Sequence, residues 1–132
     1  MTATRTLTAL RVEATVLMSF AIGQAGLAAG FLGGQDALKP VHGMNALLLI
    51  LLTIVLLVTA ILHRRDSGQR WPSLAATLLL AVEIGQLVLA RVDAVGLHIF
   101  CGVLYVVLTT LLTSYLFRPG FVPPSSDRSV RG

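Results

Sequence analysis

Two histidines, His42 and His98, stand in matching surroundings. Each lies near the start of a long apolar run. Each follows an Ile-Gly-Gln tripeptide on the preceding run, Ile22-Gly23-Gln24 and Ile84-Gly85-Gln86. A threonine comes eleven residues after each histidine (Thr53 and Thr109), and each run then reaches an arginine, Arg64 or Arg118. Imidazoles from two helices of a membrane bundle can take the two axial positions of a haem iron. On that reading His42 and His98 are the metal ligands and haem b is the cofactor. Ala46 and Gly102, four residues further on, are small enough to leave room for a flat macrocycle. Lys39 and Arg91 at the same end suit its propionates. The competing reading needs no ligand, since a histidine near a helix end reaches headgroup water by itself. His63, beside Arg64 and Arg65, is read in that second way, as a membrane-interface residue.

Glu83 is the other residue with chemical potential, because it falls near the middle of an apolar run. Placing a carboxylate at that depth in a bilayer costs about 2.5 kcal/mol or more on insertion scales. It is expected to be protonated or hydrogen-bonded within the bundle, to Asn45, Gln24 or Gln86. Its functional readings are proton transfer or a transport site, which would make the chain a small proton-coupled carrier. Its structural reading is interhelical glue, worth roughly 1 kcal/mol per contact. Cys101 is the single cysteine, so no intramolecular disulfide and no cysteine-based zinc site form. No nucleophile–base constellation or nucleotide loop is visible, and no enzymatic activity is assigned.

The elements that must position these residues are plain from composition. Of 132 residues 55% are apolar and 12% charged, too apolar for one soluble core of this size. Four runs, at 12–32, 41–62, 71–90 and 95–117, have the roughly 20 residues a membrane helix needs. Pro40 and Pro72 fall in first turns, where a missing N–H costs nothing, and Pro119 closes the fourth run. The fold expected is all-α, an integral membrane four-helix bundle in one domain, 1–118. The tail, 119–132, with Pro123, Pro124, Ser125 and Ser126, reads as disordered. The recurring Gln, His, Thr and Arg anchors describe two tandem helical hairpins, an internal repeat about an axis along the membrane normal. An alternative makes the first run a cleaved signal peptide, with its basic start, Ala28 and Ala29. Glu13, Gln24, the interrupting glycines and the repeat oppose it.

At about 100° per residue, His42, Asn45, Ala46, Leu49, Thr53 and Ala60 share one face of the second helix. His98, Cys101, Gly102, Tyr105, Thr109 and Thr113 share one face of the fourth. Polar and small residues facing lipid are costly, so both stripes are expected to point inward. Gly26, Gly30 and Gly34 form a small-xxx-small series that permits close helix approach, within the bundle or in a homodimer. Glu13 is placed near the N-terminus of the first helix, where a carboxylate suits the helix dipole.

The basic residues give the topology. Arg5, Arg11, Arg64, Arg65, Arg70, Arg118, Arg128 and Arg131 lie on one side of the expected spans; only Lys39 and Arg91 lie on the other. Basic loops stay in the cytoplasm. The expectation is a multi-pass protein of the cell membrane with both termini cytoplasmic. Its partners would be the lipid bilayer, a membrane redox protein or a second copy. The arginines cap apolar runs and do not form a nucleic-acid patch.

The Gln-then-His order across paired helices resembles one half of haem A synthase, over most of the apolar part of the chain. That family has two four-helix halves, each able to hold a haem between histidines of its second and fourth helices. The resemblance implies a haem between His42 and His98, with Gln24 and Gln86 on the preceding helices. This sequence departs from the family's catalytic half, which carries a glutamate three residues before its histidine; Lys39 stands there. The family's paired loop cysteines are also missing. The resemblance therefore implies a small cytochrome b-like bundle for electron transfer or haem handling, and not haem A synthesis.

Overall fold

Apolar residues recurring at alternate steps of three and four build four helices in the computed structural model, which describes residues 2–118. They are α1 (Ala3–Leu32), α2 (Leu38–Ser67), α3 (Trp71–Arg91) and α4 (Val95–Leu116). Each is long and apolar enough to cross a membrane. The chain runs up and down, with loops 33–37 and 92–94 at one end, called here the hairpin end. The N-terminus, loop 68–70 and the end of α4 mark the opposite, terminal end. Gly68 stops α2 in a left-handed conformation (φ 78°), and its N–H bonds the Arg64 carbonyl at 2.8 Å. The tail, 119–132, lies outside the described residues.

Each helix packs on two neighbours, α1 on α2 and α4, and α3 on α2 and α4. The diagonal pairs make no close backbone approach among the described residues. The buried positions follow one rule in every helix. They include Leu7, Leu10, Ala14, Leu17 and Ala21 in α1, and Leu49, Thr53, Leu56, Ala60 and His63 in α2, with Thr6 and Thr59 buried beside the seam. In α3 they include Pro72, Ala76, Leu79 and Glu83, and in α4 Tyr105, Thr109, Leu112 and Leu116. This 3.5-residue repeat keeps one seam of each helix toward its partners. The outward faces are Leu, Val, Ile and Phe, with Leu51, Leu74 and Val103 all more than half exposed.

Two features depart from the sequence reading. α1 and α2 each have 30 residues, so they are about 45 Å long against about 32 Å for α3 and α4. α1 begins at Ala3, not residue 12, and α2 continues to Ser67, not residue 62. Their extra turns meet at the terminal end, where Leu7 and Leu10 are buried and Thr6 bonds His63. The second feature is that the buried core stops short of the hairpin end. No residue between 22 and 48, or between 84 and 104, is fully buried.

Candidate functional site at the hairpin end

His42 is in the second turn of α2 and His98 in the first of α4, so both project into this half-buried third of the bundle. Their rings stand 6.4 Å apart, centroid to centroid, at an interplanar angle of 64°. They meet across the diagonal that the backbones leave open. Phe31, from the last turn of α1, sets its ring against His42 at 5.2 Å.

Each histidine is held by the glutamine of the preceding helix, but by different atoms. His98 Nδ1 lies 3.0 Å from the Gln86 carbonyl oxygen. A carbonyl only accepts, so Nδ1 carries the hydrogen and Nε2 keeps its lone pair. For His42 the contact is to a side chain. Asn45 Nδ2 donates to Gln24 Oε1 (2.7 Å) and to the Phe20 carbonyl (3.2 Å). This turns the Gln24 amide nitrogen toward His42, where it donates to the backbone carbonyl (3.1 Å) and lies 3.3 Å from Nε2. Nε2 is then the acceptor. Nδ1 carries the hydrogen and is buried without a hydrogen-bond partner among the described residues.

The remaining expected residues divide. Ala46 and Cys101 are half-buried beside the histidines. Gly102 does not open onto empty space: Gln86 Oε1 lies 3.3 Å from where a Cβ would stand. Lys39 pairs with Asp36 at 2.9 Å on the exposed loop, and that hydrogen bond holds the Asp36 carboxyl below its usual range. Arg91 is exposed at the end of α3.

The chain matches no family model, no curated protein and no solved structure.

No group of three or more His, Cys, Asp or Glu side chains converges among the described residues. The donor set at the hairpin end is two imidazoles, which suits a metal whose other ligands come with it.

Glu83 has other partners than those expected from sequence. Thr53 of α2 donates to its Oε1 at 2.9 Å, and the Tyr105 hydroxyl of α4 donates to the same oxygen. Thr53 and Tyr105 also touch each other at 3.2 Å. Asn45 and Gln24 are engaged one layer nearer the hairpin end, and Gln86 turns to Gly102. Tyr105 had a place on the inward stripe of α4, but nothing in the sequence paired it with Glu83.

Two further expectations are corrected, and a third is narrowed. His63 is not an interface residue; it is fully buried, with Nδ1 2.9 Å from the Thr6 hydroxyl. Glu13 is well inside α1 and not at its N-terminus, since the helix begins ten residues earlier; Thr59 donates to its Oε1 at 2.9 Å. The glycine series is used at one position within the bundle: a Cβ on Gly30 would collide with the side chain of Leu38, the first residue of α2, whereas one on Gly26 would meet nothing within 4 Å and Gly34 lies in the loop with φ 100°.

Proposed function

We propose that this chain is a membrane haem protein that holds haem b between His42 and His98, for electron transfer or haem handling. The observation that carries this is the approach of the two rings to 6.4 Å across the α2–α4 diagonal. An imidazole nitrogen lies about 2 Å from a metal it ligates, so two rings on opposite sides of one ion stand roughly 6 Å apart. An imidazole can turn about its bond to a metal, so an angle of 64° between the two rings would be compatible with their holding one ion.

The residues fit such a group. His98 already donates its Nδ1 hydrogen to a backbone carbonyl, the usual outer partner of a ligating imidazole. His42 keeps its lone pair on Nε2, and Gln24, whose amide lies 3.3 Å from it, is anchored by Asn45 and by the His42 carbonyl without that contact. Haem, when bound, supplies a one-electron couple. The chain supplies two axial ligands, their orientation through Gln24 and Gln86, and apolar cover from Phe31. Lys39 and Arg91 offer cations at the same end, Lys39 after release from Asp36.

On this reading the two hairpins are related copies, each pairing a glutamine with a histidine. The bundle crosses the cell membrane with both termini cytoplasmic, and it passes electrons to or from a membrane partner.

The test is an absorption spectrum of protein from cells well supplied with haem, before and after dithionite. A low-spin Soret band is expected, with haem reduced in His42→Ala and in His98→Ala. His63→Ala should keep it, because 21 residues of α2, about 31 Å, separate His63 from His42. No Soret band, with added haemin binding no better than to the double variant, would overturn the proposal.

A further inference from the structure

The inner seam carries two carboxyl groups that the histidine site does not use. Glu83 is 5% exposed, and both hydroxyls that reach it donate to Oε1. Oε2 is buried with no hydrogen-bond partner among the described residues. Glu13 repeats the pattern, with Oε1 taken by Thr59 and Oε2 buried without a partner. A carboxylate with donors on both oxygens is locked in its charged form. One held on a single oxygen is not locked. The Thr53–Tyr105 contact adds freedom, because either atom can donate. Both hydroxyls can serve a charged Glu83, and one can turn to the other when Glu83 takes a proton.

Buried hydroxyl groups lie along the seam between the two carboxyls, each bonded to its own carboxyl or to a main-chain carbonyl. Thr53 and Thr59 stand six residues apart on α2, about 9 Å along the axis. On α4, Thr109 and Thr113 follow Tyr105 at four-residue steps, and both are buried. Thr113 donates to the carbonyl of Ala14 at 3.1 Å, next to Glu13. The seam residues on either side of Thr53, Leu49 and Leu56, are both buried and apolar.

We infer that Glu83 is a proton-binding site inside the bundle. The groups facing Glu83 are Thr53 from α2 and Tyr105 from α4. Around Glu13 they are Thr59 and, one turn further along α2, His63, which is bound to Thr6. Arg11 on the same helix is turned to the Leu116 carbonyl, and the α4 groups at this level are Thr113 and Phe117. This inference goes beyond the histidine reading and does not rest on it.

The test is infrared spectroscopy of the purified full chain in lipid, titrated in pH and transferred into D2O. A carboxyl C=O band that grows as pH falls and is lost in Glu83→Gln is expected. Tyr105→Phe should move the band by removing a donor, which keeps the assignment testable if Glu83→Gln does not fold. A band absent across the titration, or present unchanged in both Glu83→Gln and Tyr105→Phe, overturns the site.

Discussion

At the scale of single residues, the buried polar groups are satisfied mostly by hydroxyls from a neighbouring helix, and this sets what each substitution should cost. Thr53→Val keeps the shape and removes a donor from a carboxyl that already has one bare oxygen. Tyr105 still donates to that carboxyl, so the loss is one hydrogen bond, about 0.5–1.5 kcal/mol, and Thr53→Val should be measurably less stable in reversible unfolding from detergent. Glu83→Met removes the carboxyl itself. Thr53 and Tyr105 then still have each other at 3.2 Å. Replacing a buried polar group by an apolar one of similar size is often near neutral, so Glu83→Met is expected within about 1 kcal/mol of wild type. If Glu83→Met proves the more damaging of the two, the carboxyl contributes to stability itself and its uneven hydrogen bonding has been misread. The pairing that matters here was only half legible in sequence. The equal depths of His42 and His98 followed from counting along each run. The partners of Glu83 depend on how far α3 and α4 slide past α2, and only packing decides that. His63 was legible and missed. It lies 21 residues, three heptads, beyond His42, so it belongs to the inner seam; its neighbours Arg64 and Arg65 drew attention to the interface instead.

At the scale of elements, the seam separates two kinds of leucine. Leu17 is fully buried between helices, whereas Leu51 is 57% exposed on the outer face of α2. Removing a buried leucine side chain costs about 2–5 kcal/mol through lost transfer energy and the cavity left behind. Leu17→Ala should therefore destabilise the bundle by several times the effect of Leu51→Ala, which exchanges contact with lipid or detergent for more of the same. Similar losses for both would mean that the outer face of α2 is covered by protein, as in a second copy. Arg11 makes a different kind of joint. Its Nε donates to the Leu116 carbonyl at 2.9 Å, and its guanidinium stands 5.4 Å from the Phe117 ring centroid. The last carbonyls of a helix have no intrahelical partner, so Arg11 ties the end of α4 to the start of α1. Arg11→Gln should raise amide hydrogen exchange in the last turn of α4 with little change at Glu83. The four helices themselves were evident from apolar runs alone. The extra turns of α1 and α2 were not, because residues 3–11 and 63–67 are too polar to count as spans and are held by contacts between the two helices.

At the scale of the whole molecule, one end of the bundle is sealed and the other is loose. Buried residues run from Thr6 to Ala21 in α1 and from Leu49 to His63 in α2, and none lies nearer the hairpin end in any helix. The charge distribution sharpens this contrast. Among the described residues, six of the eight basic ones belong to the terminal end, and Lys39 and Arg91 to the hairpin end. Short loops rich in Lys and Arg are retained in the cytoplasm during insertion, whereas poor ones are translocated. The sealed end is thus expected to face the cytoplasm, with the histidines opening outward and Glu13 near the cytoplasmic side. Single cysteines decide the matter. In a Cys101→Ser background, Ser67→Cys reports the terminal end and Gln35→Cys the hairpin end, since both positions lie at helix boundaries on opposite sides. A membrane-impermeant maleimide added to intact cells should label Gln35→Cys at once and Ser67→Cys only after permeabilisation. The reverse pattern would turn the molecule over and place the histidine pair on the cytoplasmic side. Labelling of both positions in intact cells would mean that the loops do not lie on opposite sides of a sealed bilayer.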